Sequence, residues 1–540
     1  MNAFPVLALV AGAAAVAGIA RRTPVPAPLL LVAAGLLASY VPGVPAYTLD
    51  PHIVLPLMLP PLLHTAALES SYLGLRANLR AVGLLSVGYV LFATAAVGLT
   101  AYAVVPGLPL SVALVLGAVV APPDAVAATA IARRVGLPPR ITTVLQGESL
   151  INDATALTAY KVALAAAVGE AVGWGAGLGE FALAALGGVG VGLALMVPLH
   201  LLRTRLREPL LQNTMSLLIP FVAYALAEEV HASGVLAVVA VGLYLGHRAW
   251  QVDFATRLQE AAVWRMVGFV LESVVFALIG LQLPVVVRGL GHFGVGAALW
   301  YAVAVLGAVV LSRFVWVYPA AYGPRFTVRG GRLTGRLLAP PGRRPPWRSM
   351  FIVSWAGMRG VVSLAIAFSI PQHTVDGAPF PARDLVLFLT FTTVIGTLVG
   401  QGLTLPALIR LLKVRGGDAQ RETLAEAQAQ SEASRAAHER LEALLAEPAN
   451  RLPQPLEDRL RAVLERRRNA VWERLGGVDE ATGETADATY RRLAREVIDA
   501  ERETFVALRD ARRIDDELLR TLLRRLDLEE AAAYREAGGE

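Results

Sequence analysis

Hydrophobic positions dominate the first 414 residues of the chain and fall into about thirteen long runs separated by short polar segments. A helix rises about 1.5 Å per residue, so roughly 20 apolar residues cross a hydrocarbon layer about 30 Å thick. The runs predict transmembrane helices at residues 4–20, 27–46, 51–69, 81–105, 110–132, 141–166, 179–202, 212–230, 234–247, 263–283, 295–320, 350–371 and 385–412. The pattern therefore predicts an all-α polytopic membrane protein.

The pattern changes after Lys413. Residues 415–540 are rich in Arg, Glu and Ala, and their leucines recur at helical spacing. Prolines and a Gly476-Gly477 pair divide this region into several helices. We therefore expect two domains, a transmembrane domain at 1–414 and a cytoplasmic helical tail at 415–540. The charged tail helices are interpreted as solvated packing elements, with a regulatory or partner-binding surface as the alternative.

Composition supports a membrane protein and argues against several other classes. Hydrophobic residues make up 55% of the chain and charged residues only 17%, whereas roughly a quarter of a soluble chain is charged. The chain has no cysteine, which excludes disulfides and thiolate metal sites. Its net charge is +6, but the basic excess lies inside the apolar region, so we expect a lipid bilayer and no nucleic acid as its partner.

Basic residues also predict the orientation, because Lys and Arg resist translocation across the membrane. With the N-terminus outside and thirteen spans, 22 Lys and Arg side chains fall on the inner side. Only Arg288 and Arg383 fall on the outer side. We expect a multi-pass protein of the cell membrane (inner or plasma membrane), with an external N-terminus and a cytoplasmic tail.

The fifth span contains two consecutive prolines, Pro122 and Pro123, followed directly by Asp124. Prolines remove backbone donors and clash with the preceding turn, so the helix should be interrupted near mid-bilayer. Broken helices let transporters build ion sites from backbone groups. The alternative is a simple proline kink with an aspartate cap.

The sixth span places Asp153 about 12 residues from its start, near the middle of the bilayer. Ser149 and Asn152 share its helix face, and Glu148 lies one turn before Asn152. A carboxylate at this depth must be protonated, paired or bound to a cation. Asp153 is therefore the candidate cation- and proton-binding residue, with a structural, hydrogen-bonded Asp153 as the alternative.

The twelfth span carries Arg359 between Gly357 and Gly360, where helix propensity falls. A buried guanidinium needs a carboxylate or backbone carbonyls, and Glu148 is the partner we predict. A purely structural ion pair is equally compatible with this pattern. His64 in the third span and Glu272 in the tenth are secondary candidates, because ionisable groups inside a bilayer are costly, and Thr65 beside His64 is a third.

The two interrupted spans lie seven spans apart and run in opposite directions. Spans one to six and eight to thirteen are therefore predicted to be inverted repeats, with the seventh span as connector. Crossing broken helices would point two helix N-termini at each other, and Asp124 is placed to neutralise their positive field.

Three segments carry a resemblance to a known family: PPDAVAATAI at Asp124, GESLINDATAL at Asp153 and GMRGVVSLAIA at Arg359. With LPPLL in span three and FALIGLQLP in span ten, they resemble the monovalent cation:proton antiporters. The similarity is to the electroneutral branch, which includes bacterial NhaP-type antiporters and animal sodium/proton exchangers.

The resemblance implies that Asp153 alternately binds a cation and a proton, with Asn152 beside it. Ser149 and the backbone near Asp124, at Pro123, would add oxygen ligands, and Glu148–Arg359 would be a structural pair. It also implies a homodimer and 1:1 exchange, with transported ions but no cofactor. This chain departs from archaeal-type relatives in span three, where His64-Thr65 follows LPPLL in place of a Glu.

Function is accordingly expected to be exchange of a monovalent cation for H+ at Asp153, with alternating access. Na+ is the first expectation, and Li+ or K+ are left open because their ligands are of the same type. The alternatives are a K+/H+ antiporter of the same fold and a cation channel. An enzyme is not expected, because no catalytic motif occurs in a plausible context.

Overall fold

A computed structural model describes residues 3–20, 22–23, 25–42, 51–124, 137–169, 174–206, 208–290, 294–322, 346–414, 419–447, 450, 452–475 and 486–535. These residues are helical and contain no β-strand. They form two compact units, Met1–Arg415 and Gly416–Glu540.

The first unit contains fifteen of the described helices. They are α1 Ala3–Ala20, α2 Ala27–Ala38, α3 Pro51–Glu69, α4 Tyr72–Ala77, α5 Leu79–Val104, α6 Leu110–Val120, α7 Pro139–Val168, α8 Trp174–Arg205, α9 Pro209–Glu229, α10 Gly234–His247, α11 Phe254–Gly289, α12 Val295–Tyr322, α13 Trp347–Trp355, α14 Val361–Phe368 and α15 Arg383–Leu412.

Each of the thirteen predicted spans coincides with helix in this part of the chain, which confirms the fold class. Six of the described helices are long and apolar enough to cross a membrane. Where the structure describes the boundary, the largest error is at α11, which begins at Phe254 where a start at residue 263 is predicted. Asp253 explains the earlier start, because its carboxylate accepts a hydrogen bond from the backbone N–H of Ala255 at 3.1 Å and caps the helix.

Both predicted helix interruptions are present, and they cross. Helix α6 ends at Val120, before Pro122-Pro123, and residues 356–360 are unwound between α13 and α14. The backbone N–H of Asp124 donates to the carbonyl of Met358 at 2.7 Å. Residues 125–136, which include the second half of the predicted fifth span, lie outside the described residues. The hydrogen bond shows that the two interruptions meet within the described residues.

Glycines allow the closest helix contacts. A Cβ on Gly35 of α2 would lie 2.1 Å from the carbonyl oxygen of Ala277, and one on Gly280 of α11 would lie 2.1 Å from that of Val32. These two helices therefore pack backbone against backbone. Apolar side chains gain little free energy by moving from lipid to a helix contact, so helices in a membrane associate mainly through close van der Waals packing. Small residues such as glycine allow that packing.

The second unit contains four described helices: α16 Ala419–Leu445, α17 Gln454–Leu475, α18 Ala486–Asp510 and α19 Asp516–Arg535. Helix α16 packs against α17, and α18 against α19. The Arg461 guanidinium donates to both carboxylate oxygens of Glu442, at 2.9 and 3.2 Å, and this hydrogen bonding lowers the pKa of Glu442. The pair therefore favours the folded tail above the ordinary pKa of a glutamate and is lost as the pH falls through the lowered value.

The α2–α11 crossing yields a stability test. We expect Gly280→Ala to lower the unfolding free energy by about 1–3 kcal/mol, because the added methyl group overlaps backbone atoms that cannot move aside. Gly268→Ala is the matched control on the same helix, since a Cβ there meets nothing within 4 Å. Thermal unfolding of the purified proteins in one detergent measures both. Equal losses of stability in the two variants would show that the crossing is not tightly packed.

Candidate functional site

A cavity lies where α3 and α11 meet α7, α14 and the unwound segment after α6. Its volume is about 80 Å³. One water molecule needs roughly 10–15 Å³ of such space, so the cavity has room for several waters. The lining is mostly apolar. Its polar side chains are those of Asp124, Ser149, Asp153, Glu272 and Ser363.

Asp153 is held in the middle of the 30-residue helix α7, and only 7% of its surface is exposed. Its carboxylate faces the cavity together with Ser149, one turn earlier on the same helix. No described residue forms a hydrogen bond or ion pair with Asp153. A buried carboxylate without a fixed partner suits a group that exchanges one positive ligand for another.

The sequence predicts Asn152 beside Asp153 in the ion site, but in the structure Asn152 does not line the cavity. Its side chain is fully buried, and its amide nitrogen donates to the carbonyl of Pro123 at 2.6 Å. The bond ties α7 to the unwound segment, so that Asp153 is fixed relative to the crossing. Pro123 itself lines the cavity, as predicted for a backbone ligand.

Asp124 lies directly against Gly360, the residue before the first turn of α14. A Cβ on Gly360 would be 2.0 Å from a carboxylate oxygen of Asp124, so only glycine fits there. A carboxylate at a helix N-terminus offsets the positive end of the helix dipole. The structure thus places the Asp124 carboxylate at this helix end, and its neutralising role stays a prediction.

Arg359 places a positive charge at the C-terminal end of α6, which is the negative end of that helix dipole. One guanidinium nitrogen donates to the carbonyl of Ala121 at the C-terminal end of α6, and the other donates to the hydroxyl of Tyr89 at 2.7 Å. Its backbone N–H donates to the hydroxyl of Thr397 at 3.0 Å. Each unwound segment thus supplies the charge that caps the helix end of the other.

The predicted Glu148–Arg359 ion pair is wrong. Glu148 pairs with Arg313 of α12 through two hydrogen bonds of 2.6 and 2.8 Å, and both side chains are 1% exposed. Arg359 is already occupied by Ala121 and Tyr89. Arg313 also lies inside an apolar span, so the cost of a buried guanidinium was a signal for it as well. The Tyr89 ring, which no sequence pattern indicated, lies 5.1 Å from one guanidinium and 5.8 Å from the other.

The secondary candidates separate into two groups. Glu272 of α11 lines the cavity, whereas His64 and Thr65 do not. The His64 ring is fully buried, 5.0 Å from the ring of Trp264, and neither of its nitrogens has a hydrogen-bond partner among the described residues. The Thr65 hydroxyl donates to the carbonyl of Pro61 within its own helix at 2.8 Å. The replacement of an acidic residue by His64-Thr65 therefore leaves no ligand from that position in the cavity.

A second buried ion pair joins Arg203 of α8 to Glu260 of α11, away from the cavity lining. Ser216 donates to Glu260 at 2.6 Å and accepts from the Trp264 ring nitrogen at 3.0 Å. Arg203 is one of the 22 basic side chains assigned to the inner side from the sequence, but it is only 1% exposed and is therefore a packed internal group. The network joins α8, α9 and α11 near their ends.

No group of three or more His, Asp or Glu side chains suited to a metal ion is found among the residues that the structure describes. The polar side chains that line the cavity carry carboxylate and hydroxyl oxygens. Such oxygen ligands are the type preferred by hard cations.

The chain is similar in sequence to a known protein family and to several of its members. The family described as sodium/hydrogen exchanger, transmembrane, matches residues 6–411. A Mycobacterium tuberculosis protein described as an uncharacterized Na+/H+ exchanger is 35% identical over 533 residues, covering 97% of this chain and 95% of the relative. A Bacillus subtilis protein described as a sodium, potassium, lithium and rubidium/H+ antiporter is 33% identical over 397 residues, covering 71% and 58%.

The solved structure of the sodium proton antiporter MjNhaP1 from Methanocaldococcus jannaschii at pH 8 has the same fold. The TM-score is 0.58 at 19% identity, with 76% of this chain and 98% of that chain covered. The family match spans the described crossing, the cavity and both buried ion pairs. The chain therefore belongs to the transmembrane sodium/hydrogen exchanger family, whose members are membrane transporters of cations and protons and not enzymes.

Proposed function

We propose that this protein exchanges Na+ for H+, one for one, by competition of the two ions for the carboxylate of Asp153. The observation that carries the proposal is the burial of Asp153 at a cavity with room for water, beside the crossing of two broken helices. Ser149, Pro123 and Asp124 line the same cavity. We propose the Ser149 hydroxyl, the Asp124 carboxylate and the Pro123 carbonyl, which already accepts one hydrogen bond from Asn152, as the further oxygen ligands.

Competition follows from the cost of a bare charge. An ionised Asp153 without a partner is strongly disfavoured in a water-poor, apolar environment, so it holds either a proton or a cation. Each ligand expels the other, and the empty, charged carrier crosses rarely. One carboxylate that trades one proton for one monovalent cation leaves the charge of the loaded site unchanged. No cofactor takes part, and the cation is a substrate.

Alternating access is the conformational part of the proposal. The cavity is lined on one side by α3 and α11, which pack against α10 and α2, respectively. Asp153 lies on α7, which packs against α5 and α6, and α7 is tied to the crossing through Asn152. Movement of one group of helices past the other would expose the site to each side of the membrane in turn.

The location of the protein is also part of the proposal. We infer a cell-membrane protein with its N-terminus outside and residues 415–540 in the cytoplasm, on the strength of the basic loop bias. Homodimerisation follows from the family resemblance alone and stays a prediction.

A K+/H+ antiporter is the second candidate. It is favoured by the Bacillus subtilis relative, whose description names sodium, potassium, lithium and rubidium. A cation channel fits less well, because a channel needs weak binding at several sites along a pore, whereas Asp124, Asp153 and Glu272 all line one cavity. Exchange driven separately by Na+, K+ and Li+ gradients would separate the two antiporters, and flux uncoupled from protons would indicate the channel.

The central test is Asp153→Asn in proteoliposomes. Proton movement driven by an imposed Na+ gradient should vanish, because the amide neither binds nor releases the exchanged proton. Asp376→Asn is the matched control, since it makes the same chemical change at an exposed loop. Size-exclusion profiles should show that both variants are folded. Exchange retained by Asp153→Asn refutes the proposal.

The pH dependence gives a second test, on the unmodified protein. For one-for-one competition, the Na+ concentration at half-maximal rate should rise about tenfold per pH unit on the acid side, with an unchanged maximal rate. The direction follows because protonation of Asp153 removes the form that binds Na+. Initial rates in proteoliposomes over a pH series measure it. A maximal rate that falls at saturating Na+ would contradict simple competition.

The Glu148–Arg313 pair is proposed to hold α7 against α12. Glu148→Gln should lower the unfolding free energy by about 3–5 kcal/mol, because it leaves a buried guanidinium without a counter-charge. Glu439→Gln, which breaks the exposed Arg435–Glu439 pair of the tail, is the control and should cost less than about 1 kcal/mol. Thermal unfolding measures both variants, and a loss of similar size in each would argue against the structural role.

A further inference from the structure

Glu272 is a second carboxylate in the cavity and comes from a different helix. It lies on α11 and lines the same space as Asp153 of α7. The side chain is partly buried, and no described residue donates a hydrogen bond to it or forms an ion pair with it. An unmatched carboxylate at such a position is costly and requires an explanation.

The backbone around Glu272 is rigidly placed. Gly280, two turns further along α11, is in backbone contact with Val32 of α2. Phe276, one turn from Glu272, lines the same cavity and is 1% exposed. Because residues four apart lie on one helix face, Phe276 and the α2–α11 crossing together fix the direction of Glu272 into the cavity.

The other buried charges around the cavity are accounted for. Glu148 is matched by Arg313, and Arg359 caps the C-terminal end of α6. Asp124 lies against Gly360 at the N-terminal end of α14, where the helix dipole offsets its charge. Two cavity carboxylates, Asp153 and Glu272, are left without a counter-charge from the described residues.

We propose that Glu272 is a second cation-attracting carboxylate, which raises the affinity of the cavity for the transported cation without carrying the exchanged proton. The inference rests on the proposed exchange at Asp153. Two parts of the bundle then determine the affinity for the cation together: α7 through Asp153, and the α2–α11 pair through Glu272. A cation at Asp153 then interacts with carboxylates on both groups of helices.

Electrostatics gives the size of the effect. Unit charges on the order of 10 Å apart, at an effective dielectric constant of about 20, change a binding constant by roughly tenfold. Loss of the Glu272 charge should therefore weaken cation binding by about that factor. The maximal rate should change little, because Asp153 still provides the site at which the two ions compete.

The test uses the full chain in proteoliposomes and compares Glu272→Gln with Glu272→Asp. We expect Glu272→Gln to raise the half-saturating Na+ concentration by about tenfold with its maximal rate retained. Glu272→Asp, which restores the charge on a shorter side chain, should recover most of the affinity. Glu229→Gln removes one charge at an exposed position of α9 and should match the unmodified protein.

Each outcome separates this inference from the function proposed above. Na+-driven proton movement by the unmodified protein, and its loss in Asp153→Asn, test the exchange itself. If that exchange holds, an unchanged half-saturating concentration in Glu272→Gln overturns the role of Glu272. Folded Glu272→Gln protein that is inactive at every Na+ concentration also overturns it, because Glu272 would then carry a transported ion itself.

Discussion

The structure depends on the crossing of two unwound backbone segments inside an apolar interior. Helix ends leave backbone donors and acceptors without partners, and lipid supplies none. Here the N–H of Asp124 bonds to the carbonyl of Met358, and the side chains of Asp124 and Arg359 each cap the broken helix of the other segment. Each segment therefore supplies hydrogen-bonding and charged groups to the helix end of the other, and this lowers the free-energy cost of both interruptions.

The charge balance around this crossing explains why the cavity is suited to a cation. The Glu148–Arg313 pair and the Arg359–Tyr89 contact fix the positive groups outside the lining. Within the described residues, the cavity thus contains carboxylates but no basic side chain. In the proposed exchange, a cation or proton that enters would supply the missing positive charge, because the alternative is a bare carboxylate in a poorly solvated space.

Close packing of the helices fixes the positions of these charged and polar groups. Glycines at the α2–α11 contact bring two backbones together, and Gly360 admits the Asp124 carboxylate against a helix terminus. Asn152 transmits the position of the crossing to Asp153 through its bond to the Pro123 carbonyl. The site is therefore built from closely packed helices and one shared junction. In the proposed alternating access, movement of this junction relative to α3 and α11 would change access to the site as a unit.

The sequence by itself determined the helical spans, both interruptions and the position of Asp153 in the middle of its helix, because hydrophobic run length, proline and glycine act locally. It also identified Asp124, Ser149, Pro123 and Glu272, which all line the cavity. Only the tertiary structure decided that Glu148 pairs with Arg313, 165 residues away, that Asn152 bonds to Pro123, and that His64 faces Trp264 instead of the cavity. Those outcomes depend on which helices become neighbours and on the side each turns towards the site. Both follow from packing of the whole bundle, and no local pattern encodes them.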